Sequence, residues 1–214
     1  MPAKTAKRSR SSSAGTPKRA PARGGGGAPR PRDVIAVIKA DHDAVDRLFR
    51  RYKGLSARAI KSRRNVADRV IKELAVHAAV EEDVLYPVAR TTVPKGQELV
   101  KEALREHRSL KKALAALDKC TPEDQAFDHL MAEIEQEVRH HVKEEEGPGG
   151  ILDQLRKHAP REQLLRMAKL TRQAKQAAPT RPHPNAPDTP PGNIVVGAVT
   201  GMIDKARDKL ARRG

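Results

Sequence analysis

The sequence predicts an all-α protein built on an up-down-up-down four-helix bundle. The 214-residue chain has no Trp, two Phe and two Tyr, so its core must be mostly aliphatic. Four stretches also place apolar residues at alternating spacings of three and four, which is the period of one helix face. Aliphatic helix faces bury best against other helices, and short connections favour antiparallel neighbours.

The first two helices are predicted from their end signals. Asp33 is a good N-cap for the first stretch, and Gly54 is a plausible stop. The second stretch follows Ser56 and is expected to end or kink at Pro87, because proline lacks the donor that continues a helix. Residues 91–96 are expected to form the next turn.

The third helix is expected from about Gln97, and the fourth is expected to open at Thr121 and Pro122. Thr121 is the predicted N-cap, Pro122 fits the first helical position and Asp124 falls in the first turn. The glycine-rich run at 147–150 is expected to stop the fourth helix.

Six ionisable residues occupy positions on these apolar faces, where side chains must turn inward. They are His42, His77, Glu81, His107, His141 and Glu145. At about 1.5 Å rise per residue, the four histidines fall in one layer near one end of the bundle. A single His-x-x-x-Glu pair is usually a solvated pair, but six buried groups without a counter-charge cost too much to leave unpaired. We therefore predict bound cations, and imidazole with carboxylate favours iron, manganese or zinc.

The two halves of the predicted bundle repeat one another at an offset of 64 residues. The matched pairs are Glu73 with Glu137, His77 with His141, Glu81 with Glu145 and Glu82 with Glu146. Each half thus offers one His and one His-x-x-x-Glu. Two equal ligand sets around one axis suggest two metal ions bridged by the carboxylates.

These motifs resemble the hemerythrin-like HHE cation-binding domains. The resemblance rests on DHD at 41–43, HAAVEEDVLYP at 77–87, EH at 106–107 and HHVKEEE at 140–146, and it spans about residues 33–158. It implies a hemerythrin-like bundle with two non-haem iron ions bridged by oxide or hydroxide. It also implies that O₂, peroxide or NO meets the iron at an open coordination position.

The chain departs from the oxygen carriers of that family on its third helix. Those proteins carry two histidines one turn apart there, whereas one turn after His107 this chain has Lys111. The missing histidine favours peroxide turnover or sensing over reversible O₂ storage. A seventh ligand is left open among Tyr86, Tyr52, Glu82 and Glu144, and no separate catalytic residue is assigned.

Two functions are therefore predicted. The first is a di-iron protein that binds or turns over O₂ or peroxide, with catalase-like disproportionation as its most concrete form, in an oxidative or nitrosative stress response. The alternative is an iron- or redox-sensing or O₂-binding protein that is not an enzyme and associates with DNA through its basic tail. Ferritin-like chemistry is disfavoured, because it needs Glu-x-x-His on two helices. Only Glu137 with His140 fits, and the matching position in the first half, three residues before His77, is Leu74.

Several polar neighbours of the six residues are expected outside the layer. Asp41, Asp43 and Glu106 are candidates to orient the imidazoles, although such residues are more often surface charge. His140 is expected in that outer position or on the surface. The remaining histidines are expected to be solvated: His129, His158 and His183.

The chain is predicted to have five regions. Residues 1–32 form a disordered basic tail, 33–158 the bundle, 159–177 an accessory helix, 178–193 a Pro-rich linker and 194–214 an amphipathic segment. The tail holds nine Lys or Arg and no acid, so it carries more than half of the net charge of +16. Weak, non-specific nucleic-acid contact by counterion release and a simple solvated leader are both consistent with it.

The cysteine content and the hydropathy of the sequence indicate the cellular compartment. The single Cys120 has no partner for an internal disulfide, which fits a reducing cytosol. No run approaches the roughly 20 apolar residues that cross a bilayer. We therefore expect a cytoplasmic protein without a transmembrane segment, and the sequence does not indicate its oligomeric state.

Overall fold

A computed structural model of the protein describes residues 32–187, 200–205 and 207–209. Its elements are α1 (Val34–Lys53), α2 (Ile60–Val80), a π-helical turn (Glu81–Leu85), α3 (Tyr86–Thr92), α4 (Gly96–Lys119), α5 (Gln125–Glu146), α6 (Ile151–His158) and α7 (Arg161–Ala177). Residues 200–205 and 207–209 are also helical. The predicted all-α fold is confirmed. The basic tail and much of the linker and the C-terminal segment lie outside the described residues.

The ends of α1 follow the predicted signals. Asp33 Oδ1 accepts a hydrogen bond from the backbone N–H of Ala36 at 2.9 Å. At the other end, the Gly54 N–H donates to the carbonyls of Arg50 and Arg51. The Asp33 side chain therefore satisfies a backbone N–H that the first turn of α1 would otherwise leave without a partner.

The predicted start of the fourth long helix is wrong by three residues. This helix, α5, begins at Gln125 with Asp124 at the N-cap. Thr121 and Asp124 instead form a turn, in which the Asp124 N–H donates to the Thr121 carbonyl and the Thr121 N–H donates to an Asp124 carboxylate oxygen. The Asp side chain thereby stabilises the turn before the helix. The predicted stop is confirmed, since Gly147 caps the C-terminus of α5.

The helical run through α2 does not end at Pro87. The π-helical turn follows α2 directly, and α3 carries Pro87 in its first turn and continues to Thr92. A π turn adds a residue and bonds each N–H to the carbonyl five residues earlier, as the Tyr86 N–H does to Glu81. Proline is tolerated in a first helical turn because its missing N–H has no partner to lose there.

Two aliphatic cores lie on either side of the predicted ligand layer. The first core contains Ile38, Leu85, Leu104 and Ile151, and the second contains Val45, Leu74, Leu110 and Val138. Along α1 the layer residue His42 falls between Ile38 and Val45, and along α4 His107 falls between Leu104 and Leu110. The hydrophobic packing on both sides therefore excludes water from the layer.

The C-terminal elements pack on the bundle helices. α6 contacts α5, and α7 contacts α1 and α2. Beyond α7, Asp204 is buried and accepts hydrogen bonds from the backbone N–H groups of Thr180 and Arg181 at 3.1 and 3.0 Å. Among the described residues, none of the helices has the length and apolar character needed to cross a membrane.

Candidate metal centre

The six predicted inward-facing residues lie together in one buried layer. Each residue keeps at most 6 % of its surface exposed. The ring centroids of His42 and His77 are 4.9 Å apart, and those of His107 and His141 are also 4.9 Å apart. His141 lies 6.4 Å from His42 and 6.3 Å from His77, so one imidazole from each of α1, α2, α4 and α5 reaches the same place.

The two carboxylates contact imidazoles from both halves of the chain. Glu81 Oε2 lies 3.2 Å from His77 Nε2 and 3.3 Å from His107 Nε2. Glu145 Oε2 lies 3.8 Å from His42 Nε2 and 3.7 Å from His141 Nε2. Glu81 Oε2 also lies 3.7 Å from His141 Nε2. Each carboxylate therefore has imidazole neighbours in both halves, which is the placement that a bridging ligand needs.

A carboxylate lies behind every imidazole, on the side of Nδ1. His42 Nδ1 is 2.8 Å from Glu146, His107 Nδ1 is 2.9 Å from Glu82, and His141 Nδ1 is 2.9 Å from Glu106. His77 Nδ1 is 3.9 Å from Asp41, which is an ion-pair distance and too long for a direct hydrogen bond. An ionised carboxylate only accepts, so at His42, His107 and His141 it places the proton on Nδ1 and leaves Nε2 with its lone pair toward the layer.

The outer carboxylates follow the two-fold repeat of the sequence. Glu82 and Glu146, which match at the offset of 64, each bond an imidazole of the opposite half. Asp41 and Glu106 each face the imidazole of the next long helix in their own half. Asp41 and Glu106 thus take the expected outer positions, whereas Asp43 is exposed and contacts no imidazole of the layer.

Lysines lie behind three of these carboxylates. Lys39 pairs with Glu146, Lys175 of α7 with Asp41, and Lys111 with Glu82. Lys111 occupies the place of the second histidine of the oxygen carriers, and it reaches past His107 to Glu82 at 2.7 and 2.8 Å. Glu82, one of the four residues considered as a seventh ligand, is therefore already engaged on both of its oxygens.

The buried donor atoms of the layer fit a cation. His42 Nε2, His77 Nε2, His141 Nε2, Glu81 Oε1 and Glu145 Oε2 are buried and have no hydrogen-bond partner among the described residues. Ligand atoms of His42, His77, Glu81 and His141 all lie within 4.8 Å of one another. Unpartnered buried polar atoms are costly, and nitrogen and oxygen donors at this spacing suit a first-row transition metal.

Tyr86 joins the layer because of the π-helical turn. Its hydroxyl lies 3.0 Å from Glu145 Oε1, 3.2 Å from His107 Nε2 and 3.3 Å from Glu81 Oε2, and the residue is 1 % exposed. Burial, then the charges of Glu145 and Glu81, raise the pKa of Tyr86 well above its usual value. The phenol is therefore protonated, and its single proton is donated to Glu145, the nearer of the two carboxylates.

The two central carboxyl groups differ in proton affinity. Burial raises the pKa of Glu81, but the imidazoles of His77, His107 and His141 outweigh it and hold that pKa well below the usual range. Burial and the charge of Glu81 raise the pKa of Glu145 to about 7. Without a cation, the layer therefore tolerates one carboxylate more readily than two.

The other candidates lie away from the layer. Tyr52 bonds Asp128 and Arg63 and packs near Phe127, in the second core. Glu144 is exposed. His140 keeps 60 % of its side chain exposed, although its Nε2 lies 3.2 Å from Glu106. Among the remaining histidines, two are exposed and His183 is partly buried against Asp204.

The part of the chain that holds the layer matches one protein family. The model of the hemerythrin HHE cation-binding domain matches residues 33–147, which is more than half of the chain. The chain belongs to the hemerythrin HHE cation-binding family. All six residues of the layer fall inside the matched range, and α6, α7 and the C-terminal helix fall outside it.

One of two similar proteins and one solved structure carry the name of this family. An uncharacterized hemerythrin-like protein of Schizosaccharomyces pombe is 30% identical over 146 residues, covering 68% of this chain and 71% of that protein. A DNA nickase of Nostoc is 26% identical over 114 residues, covering 53% of this chain and 31% of that protein. A crystal structure of a hemerythrin HHE cation-binding domain-containing protein from Mycobacterium kansasii has a TM-score of 0.55 at 20% identity, covering 67% of this chain and 88% of the other.

Sequence reasoning missed three features of the site. The roles of Glu82 and Glu146 behind the imidazoles could have been predicted, because each acid directly follows a glutamate of the layer and the two match in the 64-residue repeat. The contribution of Lys175 was not findable, because it comes from a helix outside the repeat. The π-helical turn was also hidden, since no residue type marks it.

Proposed function

We propose that the protein is a non-haem di-iron protein that binds O₂ or peroxide and disproportionates peroxide. The observation that carries this proposal is the buried layer of six donor residues, five of which have inner atoms without a hydrogen-bond partner among the described residues. His42, His77, His107 and His141 would hold two ions through Nε2. Glu81 and Glu145 would bridge them, because each contacts imidazoles of both halves.

Iron, when bound, supplies the redox change in which one peroxide is oxidised to O₂ while another is reduced to two waters. The protein's own groups prepare the place for this chemistry. The outer carboxylates fix the tautomer and orientation of the imidazoles, and the two aliphatic cores keep bulk water out. Tyr86 holds a proton within 3.3 Å of both bridging candidates, where it donates to Glu145.

Four His and two Glu give two ions fewer protein ligands than an octahedral pair requires, which leaves positions for an external ligand. Lys111 supports this view, because it engages Glu82 and contributes no imidazole to the layer. The number of protein donors therefore favours turnover or sensing over a saturated structural site.

The test is metal analysis followed by a peroxide assay. We expect two irons per chain and O₂ release from added peroxide. His77→Ala and Glu81→Ala should each abolish release, whereas His183→Ala, which lies outside the layer, should retain it. A metal-free preparation that is fully stable and cannot be loaded with iron would refute the proposal.

A second candidate is a regulatory protein that uses the same centre as an iron or redox sensor and associates with DNA. Two observations favour it: residues 1–32 hold nine Lys or Arg and no acid, and one relative is named a DNA nickase. We expect removal of residues 1–32 to abolish retention of the protein on duplex DNA at low salt. Unchanged retention would remove this candidate.

A further inference from the structure

The two-fold repeat places two equivalent clefts beside the ligand layer. One lies between α1 and α2, where Asp41 faces His77. The other lies between α4 and α5, where Glu106 faces His141. If the two halves were surrounded alike, both clefts would give the same access to the layer.

The first cleft is covered by α7. This helix packs on both α1 and α2, and its Lys175 donates to both carboxylate oxygens of Asp41. The inner face of α7 is buried and carries Met167, Ala168 and Thr171. Asp41 and His77 are therefore covered from that side. A separate cavity of about 470 Å³ lies between α1 and α5 and is lined by His42 and Glu146, but it meets one imidazole of the layer and carries the cations Arg139 and Lys143 in its lining.

The second cleft contains a cavity of about 130 Å³ that reaches the layer. His107 and His141 form its inner wall, and Glu106, Ser109, Glu137 and His140 line it farther out. His107 and His141 are 1 % and 4 % exposed, whereas the His140 side chain is 60 % exposed. The cavity thus leads from an exposed histidine to two buried ones, with room for several water-sized molecules.

The cavity lining consists mainly of hydrogen-bond acceptors. Glu137 Oε2 and His141 Nε2 are buried without a hydrogen-bond partner among the described residues, and Glu106 Oε1 has the exposed His140 Nε2 3.2 Å away. Ser109 Oγ is occupied as a donor to Glu137 Oε1 at 2.7 Å. Arg105 also borders the cavity, but its guanidinium bonds Glu102. Cations and neutral donors are therefore favoured in the cavity over anions.

We propose that the cleft between α4 and α5 is the access route by which metal cations and hydrogen peroxide reach the layer. Glu106 and Glu137 select against anions along this route. The proposal rests on the function proposed above, because it takes the layer as the destination. It assigns access to the α4–α5 side, where two imidazoles line one cavity, while α7 covers the α1–α2 side.

The route can be tested in the metal-free protein with Co²⁺ as the probe. Ser109→Trp places an indole in the cleft from an exposed position, and Lys112→Trp adds the same side chain to an exposed position of α4 outside the cavity lining. We expect Ser109→Trp to slow Co²⁺ uptake by about tenfold or more, because a filled cleft leaves no void to pass through. The final number of ions bound should stay unchanged, and Lys112→Trp should behave as the wild type.

The selectivity can be tested with Glu137→Gln, which removes one negative charge and keeps the shape. At low ionic strength we expect Co²⁺ uptake to slow about threefold and azide association with the iron-loaded protein to quicken about threefold. Both effects should shrink at high salt, because screening weakens the field of a partly exposed charge. Hydrogen peroxide is neutral, so its rate of reaction with the loaded protein should stay within about twofold.

The outcomes separate this inference from the proposed function. If Ser109→Trp takes up Co²⁺ and reacts with peroxide as fast as Lys112→Trp, the access route is wrong and the metal centre stands. If the wild type binds no Co²⁺ and no iron, the centre itself is wrong and the route falls with it. Slow Co²⁺ uptake by Ser109→Trp, with normal uptake by Lys112→Trp, supports both the access route and the metal centre.

Discussion

Lys111 Nζ lies 2.7 and 2.8 Å from the two carboxylate oxygens of Glu82. Glu82 is 3 % exposed and the Lys111 side chain 13 %, so this ion pair is nearly dry. Glu82 also accepts from His107 Nδ1. A lysine at the position where oxygen carriers have a histidine thus fixes an imidazole from behind.

We expect Lys111→Met to destabilise the metal-free protein by about 2 kcal/mol, because a buried carboxylate loses its counter-charge. Urea unfolding followed by circular dichroism measures this change. Lys111→Arg should recover most of the loss, and Lys112→Met on the exposed side of α4 serves as the matched control. Equal stability of the two Met variants would contradict the assigned pair.

The outer carboxylates should matter equally in the two halves. We expect Glu82→Gln and Glu146→Gln each to weaken metal binding about 10- to 100-fold, because a partner that orients an imidazole is lost. Competition with a chelator measures the affinity. Asp43→Asn, on the exposed side of α1, should bind as the wild type. A loss confined to one of the two Gln variants would show that the halves are not functionally equivalent.

The effect of a Tyr→Phe substitution on metal affinity can be compared at Tyr86, inside the layer, and at Tyr52, outside it. Tyr86→Phe removes a hydroxyl within 3.3 Å of Glu81, His107 and Glu145, and we expect about tenfold weaker metal binding. Tyr52→Phe removes a hydroxyl that bonds Asp128 and Arg63 in the second core, and the affinity should not change. Equal affinities for the two variants would place the Tyr86 hydroxyl outside the functional layer.

Metal removal should lower the stability of the folded protein. A cation that binds only the native layer adds RT ln(1 + [L]/Kd), which is about 4 kcal/mol at 1,000 times Kd. We expect chelation to lower the midpoint of thermal unfolding, as measured by calorimetry, and added metal to restore it. His77→Ala should show no such dependence. The same dependence in His77→Ala would indicate binding elsewhere.

Arg63 offers a test of the fold that is independent of the site. It is 5 % exposed and bonds the Pro122 carbonyl, Tyr52 and Asp128. We expect Arg63→Met to cost about 2 kcal/mol at neutral pH, because the buried carbonyl of Pro122 loses its donor. Metal content should stay at the wild-type level, and a loss of metal would link the second core to the layer.

The loss of unfolding free energy in Arg63→Met should depend on pH in a defined way. The hydrogen bond from Tyr52, then Arg63, lowers the pKa of Asp128 from 3.8. A carboxyl with a lowered folded pKa stabilises the protein above its unfolded pKa and loses that effect as the pH falls through the folded value. The difference in unfolding free energy between wild type and Arg63→Met should therefore narrow below pH 3.8. A constant difference down to acid pH would contradict the assigned interaction.

The predictable part of the structure is the part that follows helical periodicity. The layer could be located because His42, His77, His107 and His141 interrupt apolar faces at matched heights, and their burial in one place follows from bundle geometry. The start of α5 was misplaced because Thr121 and Asp124 are both good caps, and local sequence does not rank them. The structure resolves the choice through a local turn in which Thr121 and Asp124 bond each other before the helix begins.

The least predictable features involve contacts between distant segments. The seal on the α1–α2 cleft comes from Lys175, which is 134 residues from Asp41 and has no counterpart in the repeat. Its pairing depends on how α7 docks, and an amphipathic pattern gives no docking position. The asymmetry between the two sides of the layer therefore appears only in three dimensions.

The π-helical turn at Glu81–Leu85 has a consequence for how relatives are aligned and redesigned. In uninterrupted α-helix, residues five apart point about 140° away from each other. Here the wider turn brings Tyr86 back beside Glu81. Deleting one residue from this turn should restore regular winding and place Tyr86 four residues after Glu81, only about 40° around the helix, so the phenol would stay on the side of the layer. A homologue that lacks one of these five positions, and is aligned with a gap there, can therefore keep an aromatic hydroxyl at its metal centre.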